Sequence, residues 1–267
     1  MKKVLIVCLL SPALLACNSS DPQGVISNWV SHDQVVASGP TSEKSFKVSF
    51  ESVRVSTSID AEIIQSDRQE VVVSVPESIL DKVLVDSNGS QVHITFKPGT
   101  SIRGVHKVRA KIYTNKLAGV TADSSADIVI QDKFTQERIH LKASSSGSIT
   151  GDVEANDLVL DVSSSGDYSG KIWALNLTAE ASSSGDLKLS GKARNANLKA
   201  SSSGDIKAEA LVVEDAEIKA SSSGDVKVAV SQRANASASS SGDVTILRKG
   251  NVILTRQASS GGSVSMN

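Results

Sequence analysis

The chain has 267 residues, and its 28 Lys and Arg nearly balance its 29 Asp and Glu, giving a formal net charge of −1 at pH 7. This balance argues against nucleic acid as the main partner, because binding to phosphates requires a basic surplus. Only eight residues are aromatic, whereas 47 are serine. The hydrophobic fraction of 39 % is too high for a disordered chain. The composition therefore favours a fold that packs small side chains in a regular array.

The chain begins with the pattern of a secretory signal peptide. A short basic start, Met1 to Lys3, precedes an apolar run from Val4 to Leu10 that is too short to span a bilayer. The following Leu14-Leu15-Ala16-Cys17 resembles the lipobox of bacterial lipoproteins. This resemblance implies cleavage before Cys17 and lipid on its thiol and on the new amino group. Such acyl chains anchor a protein to a membrane.

Two further expectations follow from this start. Asn18, where Asp would favour retention in the inner membrane, favours an exported protein held at the outer membrane, on a face that the sequence does not define. Cys8 lies in the signal peptide, so Cys17 is the only cysteine of the predicted mature chain and no internal disulfide is expected. The alternative is an ordinary signal peptide followed by a coincidental cysteine.

A repeat organises the second half of the chain. The tetrapeptide Ser-Ser-Ser-Gly occurs six times with spacings of 18 to 20 residues, and degenerate copies precede and follow it at Ser124 and Ser259. A unit of this length is too short for two helices and a turn, but it suits one coil of a β-solenoid. The six copies begin at Ser144, Ser163, Ser182, Ser201, Ser221 and Ser239.

Residues around each copy alternate between small or apolar and polar, which is the period of β-strands. The middle serine and the glycine of each copy have the inward parity, so we expect both to face the interior. We expect the glycine to permit the bend and the close approach of a narrow corner. These predicted corner residues are Gly147, Gly166, Gly185, Gly204, Gly224 and Gly242.

An aspartate follows the glycine in five copies, and we call these residues the acidic row. Lysines follow two residues later in three copies. The plain interpretation is a solvated face or carboxylates that accept bonds from turn amides. The alternative is a ligand row for Ca²⁺ or a surface glycan, although the Gly-Gly-x-Gly-x-Asp pattern of calcium β-rolls is missing. The row consists of Asp167, Asp186, Asp205, Asp225 and Asp243.

The first part of the predicted mature chain is less regular. Alternating apolar segments run from Phe46 to Tyr113, and a brief helical turn is predicted between Pro76 and Val83. Solenoids need atypical ends that hide the open sheet edge. We therefore predict an all-β, single-chain parallel β-helix with about 19 residues per coil. Its segments are a signal peptide (1–16), a lipidated tether (17–43), irregular N-terminal coils with a cap (44–118) and regular coils (119–267).

Motifs for catalysis or cofactors are not evident. The four histidines show no metal-ligand spacing, no Gly-x-Ser-x-Gly segment occurs, and no histidine is evidently placed to activate a serine. We expect no metal and no cofactor. Polysaccharide lyases and pectin hydrolases with a β-helix build their clefts from long loops, but these coils differ in length by only one or two residues. We therefore expect no enzymatic activity.

Two features carry a family resemblance. One is the Ser-Ser-Ser-Gly-Asp array between Ser144 and Val244, and the other is the segment from Phe46 to Phe96 with its Val71-Val72-Val73 core. The chain resembles the family named putative auto-transporter adhesin, head GIN domain. The resemblance implies a right-handed single-chain β-helix and suggests adhesion. It brings no established catalytic residues.

Three functions remain open at this stage. The first is a non-enzymatic, lipid-anchored envelope module that binds a surface glycan or a protein and contacts the membrane through lipid on Cys17. The second is a structural protein whose coils assemble end to end or side by side, so that an oligomer forms. The third is a β-helix carbohydrate-active enzyme.

Overall fold

The computed structural model describes residues 34–103 and 108–267. The predicted signal peptide and lipidation site, Cys17, lie outside these residues, as do His32 and His106.

The described chain is almost entirely β-structure, with one short 3₁₀ helix at Glu77–Lys82, where the sequence predicted a helical turn. The strands are β1 (Gln34–Val36), β2 (Thr41–Phe46), β3 (Ser52–Val55), β4 (Asp60–Gln65), β5 (Glu70–Pro76), β6 (Val83–Ser87), β7 (Gln91–Phe96), β8 (Ser101–Arg103), β9 (Arg109–Thr114), β10 (Gly119–Ala122), β11 (Asp127–Ala143), β12 (Ser148–Val162), β13 (Asp167–Ala181), β14 (Asp186–Ala200), β15 (Asp205–Ala220), β16 (Asp225–Ala238), β17 (Asp243–Arg248), β18 (Ile253–Ala258) and β19 (Ser263–Met266).

The coils stack in parallel and in register from β10 onwards. Asp167 lies opposite Asp186, and Ala181 lies opposite Ala200, so equivalent repeat positions form rows along the stack. The result is a β-solenoid of about eight turns with about 20 residues per turn. The predicted fold class, an all-β parallel solenoid, is confirmed.

Small and aliphatic side chains fill the interior, as the composition predicted. One inward row begins with Ile139, Leu158 and Leu177 and continues with Ala196 and Ala216, and all five are buried. Side chains of the outward parity between them are polar or charged in most coils. The larger residues of this row therefore occupy the earlier coils.

The corner turns have a different structure from the one that the parity predicts. In the fourth copy, Ser202 and Ser203 have φ angles of 52° and 62°, and the amide of Gly204 donates to the carbonyl of Ser201 at 3.0 Å. Positive φ at both central residues defines a type I′ turn. Both serines are exposed. The prediction of an inward middle serine is therefore wrong, because a left-handed turn breaks the strand alternation.

The corner glycines are buried but do not have positive φ angles. A Cβ atom on Gly204 would lie 2.6 Å from the carbonyl carbon of Ala181 in the preceding coil. The glycine thus allows close approach between coils, whereas the two serines make the bend.

The N-terminal coils do not stack in chain order. Strands β3 and β4 pair with β10 and β11 on one side and with β7 and β9 on the other. Antiparallel pairs β2–β5, β5–β9 and β6–β7 then cover this end of the stack. The left-handed turn recurs here at Thr57 and Ser58, between β3 and β4. β1 and the start of β2 fall within the segment predicted as a tether, and the predicted segment boundaries stay predictions.

Candidate functional site

The acidic row lies on one outward line of the solenoid. Its five aspartates are in register from β13 to β17. Lys207 Nζ lies 3.3 Å from Asp186 and 3.5 Å from Asp205. Burial raises the pKa of Asp167, and the neighbouring Asp186 carboxylate raises it further. The row is therefore a crowded line of carboxylates that Lys207 partly neutralises.

The same line continues into the earlier coils, which sequence reasoning missed. Asp127 and Asp60 are in register with each other, and Ser148 connects Asp127 to the acidic row. Ser148 Oγ donates to Asp127 Oδ1 at 2.6 Å. The degenerate repeat at Ser124 was the available signal for Asp127. In residues 34–103 and 108–267, no group of three or more His, Cys, Asp or Glu is arranged to hold a metal ion.

The predicted corner glycines lie on a second line. All six are buried, and a Cβ atom on any of them would lie within 3 Å of backbone atoms of the preceding coil. Their position leaves no room for ligand contact. The exposed part of this corner is the pair of serine hydroxyls beside each glycine.

A serine and a histidine contact each other at the first corner, contrary to the expectation from sequence. Ser56 Oγ lies 2.9 Å from His93 Nε2, and Arg54 Nε donates to Asp123 Oδ2 at 2.8 Å. Burial lowers the pKa of His93, and the charge of Arg54 lowers it further. Ser56 is only 4 % exposed. A serine without access to substrate does not act as a nucleophile, so this network stabilises the corner.

Another line of outward side chains carries amides and charged groups that bind one another from coil to coil. Asn176 Nδ2 donates to Asp157 at 2.9 Å, and Asn195 Nδ2 donates to Asn176 at 3.0 Å. Further along, Arg233 makes a bidentate pair with Asp215 at 2.8 and 2.7 Å. A recess of about 570 Å³ lies over these residues. Many of its polar groups bind one another, whereas Asn197 Oδ1, which also lines the recess, is buried without a hydrogen-bond partner in the described residues.

A further outward residue is Trp173 on β13, which is 43 % exposed. It lies in register between Glu154 on β12 and Lys192 on β14. Sequence reasoning counted this tryptophan but did not single it out. Trp173 lies ten residues after Ser163, and even offsets from the first serine of a repeat face outward. This parity was the signal that would have found it. Trp173 lines two recesses, of about 350 and 310 Å³.

Comparison with protein families connects this architecture to known proteins. The family model described as putative auto-transporter adhesin, head GIN domain, matches residues 49–180 and 154–250. The chain belongs to this family. The resemblance seen in the sequence is thereby confirmed, and the family is described by adhesion, which suggests an exported or surface protein rather than an enzyme. The comparison with curated proteins gave no match.

Solved structures share the fold of this family member. Putative adhesins from Parabacteroides merdae and Parabacteroides distasonis each align with a TM-score of 0.80, at 20 % and 23 % identity. The alignments cover 88 % of this chain and 99 % and 100 % of those chains. A putative lipid binding protein from P. distasonis aligns with a TM-score of 0.73 at 22 % identity, covering 88 % of this chain and 99 % of that chain. At these identities the likeness shows the fold.

In the part of the chain that the structure describes, no helix is long and apolar enough to cross a membrane.

Proposed function

We propose that this chain is an exported, non-enzymatic binding module of the cell envelope. Lipid on Cys17 holds it to the outer membrane, and the outer surface of the solenoid takes a glycan or protein ligand. The observation that supports this proposal is the set of outward side-chain rows, held in register by hydrogen bonds between coils. A surface fixed before binding loses little conformational entropy when a ligand arrives.

One structural neighbour is named a putative lipid binding protein, so a lipid is an alternative ligand for this chain. An acyl chain needs an enclosed apolar space. Here, buried side chains such as Leu158 and Leu198 occupy the interior, and the larger recess beside Trp173 is lined mostly by charged groups. These observations favour a polar ligand on the outside.

Two experiments test this proposal. Labelling with an alkyne analogue of palmitate is expected to mark the full-length protein and to fail for Cys17→Ser; equal labelling of both would contradict the anchor. Glycan arrays and pull-downs with the intact protein are expected to yield a saturable partner. The absence of any partner under both formats would overturn the binding module.

One observation favours self-assembly as a second candidate. Among the described residues, β18 pairs only with β16, and β19 pairs only with β17. Ile253 at the start of β18 is 68 % exposed. Unpaired strand edges are templates for pairing with another chain. Light scattering at increasing concentration tests this candidate, and a strict monomer would exclude it.

A further inference from the structure

The indole of Trp173 offers an uncovered apolar surface on a polar face of the solenoid. The two cation–π contacts formed by residues 34–103 and 108–267 use the rings of Phe46 and Tyr113. Neither covers Trp173. An exposed indole in a chain with eight aromatic residues is therefore available for an incoming ring.

The two recesses beside this indole are continuous with it. The larger, of about 350 Å³, is bordered by Asp152, Lys171 and Lys192. The smaller, of about 310 Å³, is bordered by Lys192, Arg194 and Glu214. Trp173 and Lys192 line both. A ligand that lies over the indole therefore reaches both recesses, which suits an elongated molecule of several units.

The charges around the indole are only partly satisfied within the protein. Lys133 Nζ lies 2.9 Å from Glu154, and the hydrogen bond between them lowers the pKa of that carboxyl group. By contrast, no ion pair among the described residues includes Lys171, Lys192 or Arg194. These three cations thus flank the indole without a direct ion pair in the described residues, although the charge of Lys171 lowers the pKa of Glu154 and that of Arg194 lowers the pKa of Asp215.

We propose that Trp173 and its flanking cations form a binding site for an acidic oligosaccharide. A pyranose ring has an apolar face of C–H groups that stacks on an indole, and its carboxylate accepts charge-assisted bonds from Lys171 and Lys192. Asp152 and Glu154 accept hydrogen bonds from ring hydroxyls. This site rests on the proposed binding function and names its ligand class. The four cations that line the two recesses (Lys133, Lys171, Lys192 and Arg194) outnumber the three carboxylates (Asp152, Glu154 and Glu214) by one, and this net positive charge favours an acidic sugar over a neutral one.

Calorimetry with the full-length protein tests this site. The probes are hexasaccharides of galacturonate, alginate and hyaluronan, with cellohexaose as the neutral comparison and glycerol phosphate as a phospholipid headgroup. We expect at least one acidic hexasaccharide to bind more tightly than cellohexaose. Trp173→Ala should weaken that binding about tenfold or more, as for other rings stacked on aromatic side chains. Trp173→Phe should retain part of it.

The double variant Lys171→Ala with Lys192→Ala should reduce the affinity for the acidic hexasaccharide to that for cellohexaose. Lys227→Ala and Val129→Ala change outward residues of a single row that does not include Trp173, and they should leave binding unchanged. Thermal melting monitored by circular dichroism confirms that each variant is folded. Since Trp173 is substantially exposed, its replacement should not unfold the coil.

Three results would overturn this assignment. The first is that no acidic hexasaccharide binds. The second is that Trp173→Ala binds the acidic hexasaccharide as tightly as the parent protein does. The third is that glycerol phosphate displaces the sugar at equal concentration. If the intact protein still captures a partner in the pull-down while Trp173→Ala has no effect on that capture, the binding module stands and the Trp173 site is wrong. If nothing is captured, the proposed function itself fails.

Discussion

The amide of Ser203 donates a hydrogen bond to the carbonyl oxygen of Ser222 in the next coil, with a donor–acceptor distance of 3.1 Å. Ser203 has a φ angle of 62°, so this bond between coils holds a residue in the left-handed region that serine rarely adopts. The same bond recurs from Ser146 to Ser164 and from Ser165 to Ser183. The corners are thus part of the ladder between coils, and the ladder compensates for their backbone strain.

Substitutions within a single turn test the backbone strain of the left-handed serines through the free energy of unfolding. A left-handed non-glycine residue costs about 1–2 kcal/mol, and the greater freedom of glycine in the unfolded chain offsets about 0.5–1 kcal/mol of any gain. Ser203→Gly is therefore expected to stabilise the protein by up to about 1 kcal/mol. Ser201→Gly, in the same turn but without a positive φ angle, should destabilise it. Denaturant titration measures both, and shifts of the same sign would contradict this account of the turn.

Substitution of a corner glycine tests the close approach of the coils. A Cβ atom on Gly204 would meet the backbone of Ala181 and Ser182, neither of which is a flexible side-chain end. Gly204→Ala is expected to destabilise the fold by about 1–3 kcal/mol or more. Ser201→Ala is the control, because this residue of the same turn has no positive φ angle and gains no atom on substitution. Equal effects of the two variants in denaturant titration would show that space is not the constraint.

The inward assignment of the strands is tested by a pair of alanines. Ala200 is 2 % exposed, whereas Ala210 is exposed. Ala200→Glu forces a carboxylate into the thin core and should lower the free energy of unfolding by several kcal/mol, roughly 2–7 by transfer of polar groups. Ala210→Glu should melt like the parent protein. Similar melting curves for both variants would overturn the inward assignment.

The network around His93 predicts a dependence of stability on pH. Because burial and Arg54 hold the pKa of His93 below its ordinary value of 6.5, the unfolded chain binds more protons than the folded chain below that pH. The stabilising contribution is present above pH 6.5 and is lost as the pH falls through the lowered pKa. Asp86 and Asp123 also face His93 and oppose the shift.

Unfolding free energies measured between pH 7.5 and pH 5 check this dependence. His93→Gln should flatten the loss of stability on acidification, whereas the exposed His140→Gln should retain it. Burial raises the pKa of Asp123, but hydrogen bonds from Ser56 and Arg54 outweigh it, so the pKa lies below its ordinary value of 3.8. That group therefore contributes a further loss only in stronger acid. A His93→Gln profile parallel to the parent would contradict the role of this histidine.

The regular coils were predictable because each repeat has the same alternation of inward apolar and outward polar residues. Alternation alone places Ala200 inside and the lysine before it outside. The serine turns were not predictable in this way, because counting by two assumes extended backbone and fails where φ becomes positive, as at Ser202. The non-sequential stacking of β3 and β4 was also inaccessible, since their partners are distant in sequence and carry no repeat.

The functional surface was only partly predictable, for a related reason. The acidic row and Trp173 follow from the parity of the repeat, although only the row was recognised. The contact between Ser56 and His93 joins two residues that are 37 positions apart in the sequence, and no motif marks them. Pairs of this kind depend on how the cap folds back on the first coils, which the repeat does not encode.

The coil that contains β15 is one residue longer than the three coils before it, and the register with β14 shifts between Lys188 and Ser190. Downstream, Asp215 pairs with Asn195 and Ala220 with Ala200, so the extra residue leaves the remaining rows undisturbed. Glu209 and Ala210 beside this shift are both exposed. This irregularity within β15 thus absorbs an extra residue that would otherwise reverse the facing of the side chains that follow. A reporter peptide or an affinity tag inserted between Glu209 and Ala210 would leave the stack intact and project from its side.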